Sequence, residues 1–350
     1  MDKRQCYTNR GILRSAHLGV VRDLARASNT GYTVIVRPFT YSVGAPRQDV
    51  QHHLVKTSFS KTFYDTGKLN MQYSLQFNER KEFDIRRGEQ SNRASLDLEL
   101  LTHNFQSNFI FDKILDFEGN LGFDLSLQSN FANPDTGVRR LIPDYKMFTA
   151  GVFALGKYDK GGKITLDGGV RYDFNTINAK KFYLKSRWDE RGYNNQFSYL
   201  SIGESGSQRL TNPIFNYHNF SATAGFNYNW ESSWNANINF STASRTPNPS
   251  ELFSDGLHHS AAIIELGDLS LKKEQAIKVS GTLEGEYSAL SFTVNPYLNY
   301  IRNFILLEPT GIEQTIRGAF PVHEYKQVNA QLYGVDINAN YQVSNQIAYS

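Results

Sequence analysis

The residues best placed to do chemistry lie between Ser244 and Lys273, in the segment SRTPNPSELFSDGLHHSAAIIELGDLSLKK. His258 and His259 stand side by side there, with Glu251, Asp255 and Glu265 close in sequence. Neutral imidazole together with carboxylate oxygens can bind zinc or an iron chelate, or ligate haem. His258 and His259 are therefore the candidate metal ligands, and Glu251 and Asp255 are further candidate ligand contacts. The pair lacks the i, i+4 or two-residue separation of a recognisable zinc site, so a hydrogen-bonding pair on a loop is the competing reading. His52 and His53 are adjacent within a strand pattern, so they point to opposite faces and cannot chelate one ion together.

Other chemistry is poorly supported. Cys6 is the only cysteine, which excludes an intramolecular disulfide and a cysteine-based metal centre. Gly203-Glu204-Ser205-Gly206 imitates a nucleophile elbow without its strand-to-helix context. Gly161-Gly162 and Gly168-Gly169 sit in a hairpin pattern rather than a phosphate loop. No enzymatic activity and no resident cofactor are expected. A net charge of +3 gives no reason to expect a nucleic-acid partner; the basic pairs Arg86-Arg87 and Arg139-Arg140 fall in loops.

The segment holding the histidines is neither a strand nor a long helix. Pro247 and Pro249 remove backbone donors and bias their predecessors to extended conformations, so a strand ending near Ser244 cannot run through them. Ser250 is a candidate cap for one helical turn over Glu251, Leu252 and Phe253, closed by Asp255-Gly256. Elsewhere apolar and polar residues alternate with period two. Leu69, Met71, Tyr73, Leu75 and Phe77 oppose Asn70, Gln72, Ser74, Gln76 and Asn78, and Leu121, Phe123, Leu125 and Leu127 oppose Asp124, Ser126 and Gln128. Near Leu101 to Asn104 the apolar phase changes from even to odd positions, which predicts a β-bulge.

Eleven long strands follow from this pattern, at about 50–63, 68–79, 93–111, 117–129, 145–158, 163–176, 216–230, 233–243, 273–287, 289–303 and 326–343, with partial strands at each end. Very short connections alternate strictly with long polar ones at about 14–48, 80–92, 130–144, 177–215, 244–272 and 304–325. Residues 20–27 have the apolar spacing of a short helix on the first of these loops. A soluble sandwich would show the alternation but not this strand length or loop asymmetry. Aromatics make up 13% of the chain, yet mean hydropathy is −0.48. That balance suits a sheet with one lipid face and one wet face. The fold class read from the sequence is thus all-β, an antiparallel transmembrane β-barrel, here partial. Tyr228, Trp230, Trp234 and Tyr287 beside the short turns are its expected inner aromatic girdle.

The succession Arg245-Thr246-Pro247, Pro249-Ser250-Glu251-Leu252-Phe253, Gly256-Leu257-His258-His259, Glu265-Leu266-Gly267-Asp268 resembles TonB-dependent outer-membrane receptors, particularly those of Bacteroidota-type bacteria. Arg47-Gln48 with His52-His53-Leu54-Val55-Lys56, and Asn133-Pro134-Asp135-Thr136-Gly137 with Leu141-Ile142-Pro143-Asp144-Tyr145, agree with it. The resemblance implies active uptake of a scarce solute across the bacterial outer membrane, with a metal or metal chelate such as iron-siderophore, haem or zinc as leading cargo. It implies energising by the TonB–ExbB–ExbD complex through a plug domain, and contact with outer-membrane lipid. A passive porin or adhesin barrel is the alternative. No apolar stretch follows Met1 to Cys6, and Ser350 falls inside a strand pattern. Residues 1–350 are therefore expected to be a fragment of the barrel domain, without secretory signal or plug.

Overall fold

The structure is a computed structural model that describes residues 2–7, 47–84, 92–230, 233–259, 261–315, 318–344 and 347–349, with single positions between 22 and 45. Strands β1 (Asp2–Tyr7), β2 (Arg47–Phe63), β3 (Gly67–Phe83), β4 (Leu96–Phe111), β5 (Phe117–Ala132), β6 (Asp144–Lys160) and β7 (Ile164–Leu184) pair in chain order, each antiparallel to the one before. A folded excursion follows, made of α1 (Lys185–Glu190), α2 (Tyr193–Phe197), β8 (Ser201–Ser205) and β9 (Gln208–Thr211), with β9 paired to the end of β7. The meander resumes with β10 (Ile214–Trp230) against β7 and then β11 (Trp234–Arg245). The histidine-bearing segment forms α3 (Pro249–Phe253), β12 (Asp255–His258) and β13 (Ile263–Leu266). Strands β14 (Glu274–Tyr287), β15 (Leu290–Thr315), β16 (Gly318–Ser344) and β17 (Ile347–Tyr349) complete the order. All eleven expected long strands are present.

Register assigns the two faces. Across the sheet, Leu121, Ala154, Val170 and Ala222 stand opposite one another, as do Phe123, Val152, Tyr172 and Phe220. Leu121, Phe123, Leu127, Val152, Val170, Phe220, Ile238 and Phe240 are exposed on this face. So wide an exposed apolar surface has a physical account as a lipid-facing band. Amide and hydroxyl side chains occupy the other face and bond across strands: Gln72 to Gln106, Asn108 to Asn120, Gln128 to Thr102 and Asn175 to Thr149. Tyr228, Trp230 and Trp234 stack at the short-turn end, with centroids 5.7 and 5.9 Å apart. The short turns form where positive φ is available, at Asp65, Gly161, Gly162 and Ser288.

Three expectations need correction. There is no bulge at Leu101 to Asn104: the β3–β4 and β4–β5 registers run unbroken through it. Leu96 and Leu98 are apolar on the inner face because there they leave water and pack with Ala132 and Leu141. The connection 304–325 is not a loop, since β15 and β16 stay paired through it as a ribbon with register shifts at Ile301/Phe304 and Pro309/Gly311. The connection 177–215 is not a simple polar loop, and Trp188 within it is fully buried. The helix read over 20–27 lies mostly outside the described residues, as do Arg86 and Arg87.

Candidate functional site

At the long-loop end, three excursions fold over the inner face and share one apolar cluster. Leu252 and Phe253 of α3 meet Ile177, Tyr183, Trp188, Tyr193, Leu269 and Ile305 there. Phe253 stacks on Phe215 at 6.2 Å, and Trp188 lies edge-on to Tyr193 at 5.2 Å. Trp188 Nε1 donates to Asn194 Oδ1 at 2.9 Å, so the buried ring leaves no donor unpaired. The inner face of β7 changes from polar to apolar as it rises from Asn175 through Ile177 and Ala179, because these loops cover it.

Helix α3 is capped by Asn248 and not by Ser250, which lies inside it. Pro249 occupies the first helical position, where its missing N–H costs nothing and its fixed φ fits. Glu251 Oε2 accepts from the Asn248 amide at 2.7 Å, the reciprocal half of a capping box. The same carboxylate receives Arg245 Nη1 at 3.1 and 2.9 Å, and Arg245 Nε reaches Glu274 at 3.0 Å. Glu251 thus fastens the turn to the ends of β11 and β14.

Asp255 is 2% exposed and surrounded by cations: Arg139 Nη1 at 3.4 Å, Arg187 Nε at 3.8 Å and Lys181 Nζ at 4.0 Å. Among the described residues neither carboxylate oxygen has a hydrogen-bond partner. Burial pushes the Lys181 ammonium down to about 8, against the pull of Asp255. Four chain segments meet at this carboxylate: the 133–143 connection, β7, α1 and β12.

His258 and His259 are not brought onto a common ligand; each meets a different carboxylate. His258 Nδ1 lies 2.5 Å from Glu265 Oε1, and its Nε2 lies 3.6 Å from Glu82 Oε1. Hydrogen bonding to Glu265 and then Glu82 raises His258 to about 9, while the Arg80 guanidinium lies 3.1 Å from the same Nε2, so both ring nitrogens are engaged. Burial alone would raise Glu82, but His258 and Arg80 hold it at about 2. Glu82 stands beyond Phe77, above the apolar band. His259 is buried, with Nδ1 3.2 Å from Asp84 Oδ2. Among the described residues no three His, Cys, Asp or Glu side chains gather as a metal site. On β2, His52 approaches Asn78 on the inner face while His53 lies beside Phe77 on the outer one.

Arg80, Glu82, Lys181, Arg187, Arg191, Trp188 and Tyr193 escape sequence reasoning, and Arg139 reads there only as loop charge, although all shape this region. Tyr193 bridges two loops, its hydroxyl donating to Asp268 Oδ1 at 3.1 Å and accepting from Arg191 Nη1 at 3.0 Å and the Leu269 amide at 3.2 Å. One available signal is that the inner-face alternation of β7 continues through Ala179, Lys181 and Tyr183, which puts Lys181 among apolar neighbours. Beside this knot a cleft of about 350 Å³ opens between α1, α2, the 266–270 turn and β16, with Glu190, Arg191, Glu324, Tyr325 and Lys326 on its walls.

The family described as TonB dependent receptor-like, beta-barrel matches residues 7–350. No curated protein matches the sequence. Among solved structures, the copper transporter OprC is similar with a TM-score of 0.60 and 14% identity, over 85% of this chain and 44% of that one. The Serratia marcescens hemophore receptor HasR, in complex with its hemophore HasA and heme, gives 0.58 and 15%, over 85% and 47%. The Escherichia coli K12 ferric-catecholate import receptor Fiu gives 0.58 and 14%, over 98% and 52%. The chain thus spans about half the length of these structures, and at such identities the likeness is one of fold. The family match covers nearly the whole chain, and its subject is a receptor barrel rather than an enzyme: this chain belongs to the TonB-dependent receptor β-barrel family.

Proposed function

We propose that the protein of which this chain is part takes up a scarce solute across the bacterial outer membrane, energised by the TonB–ExbB–ExbD complex acting through a plug domain. The favoured cargo is a metal chelate rather than a bare ion. The observation that supports this is the engagement of both His258 nitrogens, Nδ1 by Glu265 and Nε2 by Arg80 and Glu82, which leaves neither open to zinc or haem. Charged and tyrosine side chains in the adjoining cleft suit a polar organic chelate. Glu251, Asp255, His258 and His259 then hold the wall of the binding region in shape rather than ligate cargo.

Uptake of radiolabelled metal chelates by cells with and without the gene tests the reading. Saturable uptake that needs the gene and stops when a protonophore collapses the proton gradient is expected. Gene-dependent uptake that is unsaturable and indifferent to the protonophore would replace this reading with a passive porin, and no gene-dependent uptake of any chelate would leave an adhesin.

A further inference from the structure

The cleft beside Tyr193 has a charge balance that its own fold leaves incomplete. Three cations stand on its walls, and each is engaged within the protein. Arg187 reaches Glu313 at 2.7 Å and Asp255 at 3.8 Å. Arg191 donates to the Gly267 carbonyl and to the Tyr193 hydroxyl. Lys326 holds Glu308 at 3.1 Å. Asp268 is engaged too, accepting from the Tyr193 hydroxyl and from the amide and hydroxyl of Ser270.

Two carboxylates on the walls are left over. Glu190 is exposed and Glu324 half-buried, and neither makes a hydrogen bond or an ion pair among the described residues. Arg191 feels the charge of Glu324 without coming within ion-pair distance of it. Glu324 also stands directly opposite Glu308 in the β15–β16 register, a juxtaposition of like charges that weakens a sheet. Lys326 offsets part of that repulsion through Glu308, which keeps Glu324 in place.

A cleft with two open carboxylates and no unengaged cation is complementary to a positive group, and it meets a polyanionic chelate with like charge. Its volume of about 350 Å³ is at the small end of ligand sites, which run about 300–1,000 Å³, so it suits one arm of a chelate. Tyr325 on the wall adds an aromatic ring, which also attracts an organic ammonium.

We propose that this cleft takes an ammonium-bearing arm of the cargo, with Glu190 and Glu324 as its ion partners, so that the receptor prefers a chelate carrying a protonated amine to the same chelate without one. This deepens the uptake reading and rests on it for the identity of the cargo as a chelate.

The full receptor, purified in detergent, would be titrated calorimetrically with ferrioxamine B, whose iron centre is neutral and whose free arm ends in an ammonium, and with its N-acetyl derivative, in which that charge is removed. Ferrioxamine B is expected to bind about tenfold tighter, the combined effect of two partly exposed ion pairs. The preference should shrink in high salt, which a steric effect of the acetyl group would not do. E190Q/E324Q should bind both forms alike while keeping heat-modifiable mobility, and E190Q alone, an exposed change safe for folding, should reduce the preference about threefold. Equal binding of the two forms, binding of neither, or an unchanged preference in E190Q/E324Q would each overturn the proposal. Energised, saturable uptake with equal binding would sink this inference alone, whereas a charge preference in binding beside protonophore-indifferent uptake would support it and sink the transport reading.

Discussion

Gly267 is where the closure of the outer loops is most exposed to a one-carbon perturbation. A Cβ there would lie 2.6 Å from the Leu252 carbonyl carbon, 2.7 Å from Glu251 O and 2.7 Å from the Phe253 nitrogen. All three are backbone atoms of α3, so no side chain can swing aside. Gly267→Ala must push α3 off the 266–268 turn, breaking the Gly267 N to Ser254 O bond at 2.6 Å and the Asp268 N to Glu251 O bond at 2.9 Å. Two hydrogen bonds at about 1 kcal/mol each and overpacking at about 1–3 kcal/mol give a local cost of about 3–5 kcal/mol. Hydrogen exchange by mass spectrometry on the full receptor should show protection of peptides over 248–271 falling by about a thousandfold, the equivalent of about 4 kcal/mol. Gly203→Ala is the control, because a Cβ there meets nothing within 4 Å and the backbone needs no positive φ. If Gly267→Ala exchanged like Gly203→Ala, the packing of α3 on the turn would not be what closes these loops.

Other perturbations address the remaining fastenings. Trp188→Ala removes a fully buried ring and should cost about 3–5 kcal/mol, read as new protease cleavage between Lys185 and Arg209 on intact cells. Asp255→Asn withdraws the anion that Arg139, Lys181 and Arg187 share, leaving only Glu313 against Arg187, and should cost about 3–5 kcal/mol, so the same cleavage should appear with no change in the barrel's heat-modifiable mobility. The His258 fastening has a defined pH window. Its pKa is raised in the fold from 6.5 to about 9, so its contribution is complete below about pH 6.5 and is lost as pH rises through about 9. The Glu82 contribution is present above 4.5 and lost as pH falls through about 2. Protection of 255–266 should therefore decline between pH 6.5 and 9, by on the order of 3 kcal/mol, and His258→Gln should flatten that decline.

The transmembrane part of the fold is legible because one local rule governs it. Every residue of β5 from Leu121 to Leu127 faces either lipid or the inner side, and period-two alternation reports that choice without knowledge of any partner. The same rule misleads above the membrane. Leu96 and Leu98 keep their geometric phase but exchange water for Ala132 and Leu141, and an apolar residue on a nominally wet face then reads as a slip in register. The β15–β16 ribbon fails for the related reason that, beyond the bilayer, neither face has a fixed solvent, so alternation fades although pairing continues to Thr315 and Gly318.

The histidine segment reverses the problem. Its residue types promise ligation, but what decides their chemistry is distant in sequence: Arg80 and Glu82 beside His258, Asp84 beside His259, and Arg139, Lys181 and Arg187 around Asp255. An imidazole whose Nδ1 meets Glu265 and whose Nε2 meets Arg80 and Glu82 has neither nitrogen open to a metal. Spacing within the segment could not reveal this, because its local bonds, the capping box at Asn248 and Glu251 and the turn from Asp268 to Ser270, say nothing of distant partners, and the cap itself competes with a plausible one at Ser250. On the proposed function, a wall built from buried ion pairs rather than free loops is pre-organised and would lose little conformational entropy on binding cargo. Loosening Gly267 or Asp255 should therefore weaken cargo binding without removing a single cargo contact, whereas substitutions at Glu190 or Lys326 in the open cleft should weaken it while leaving loop protection intact.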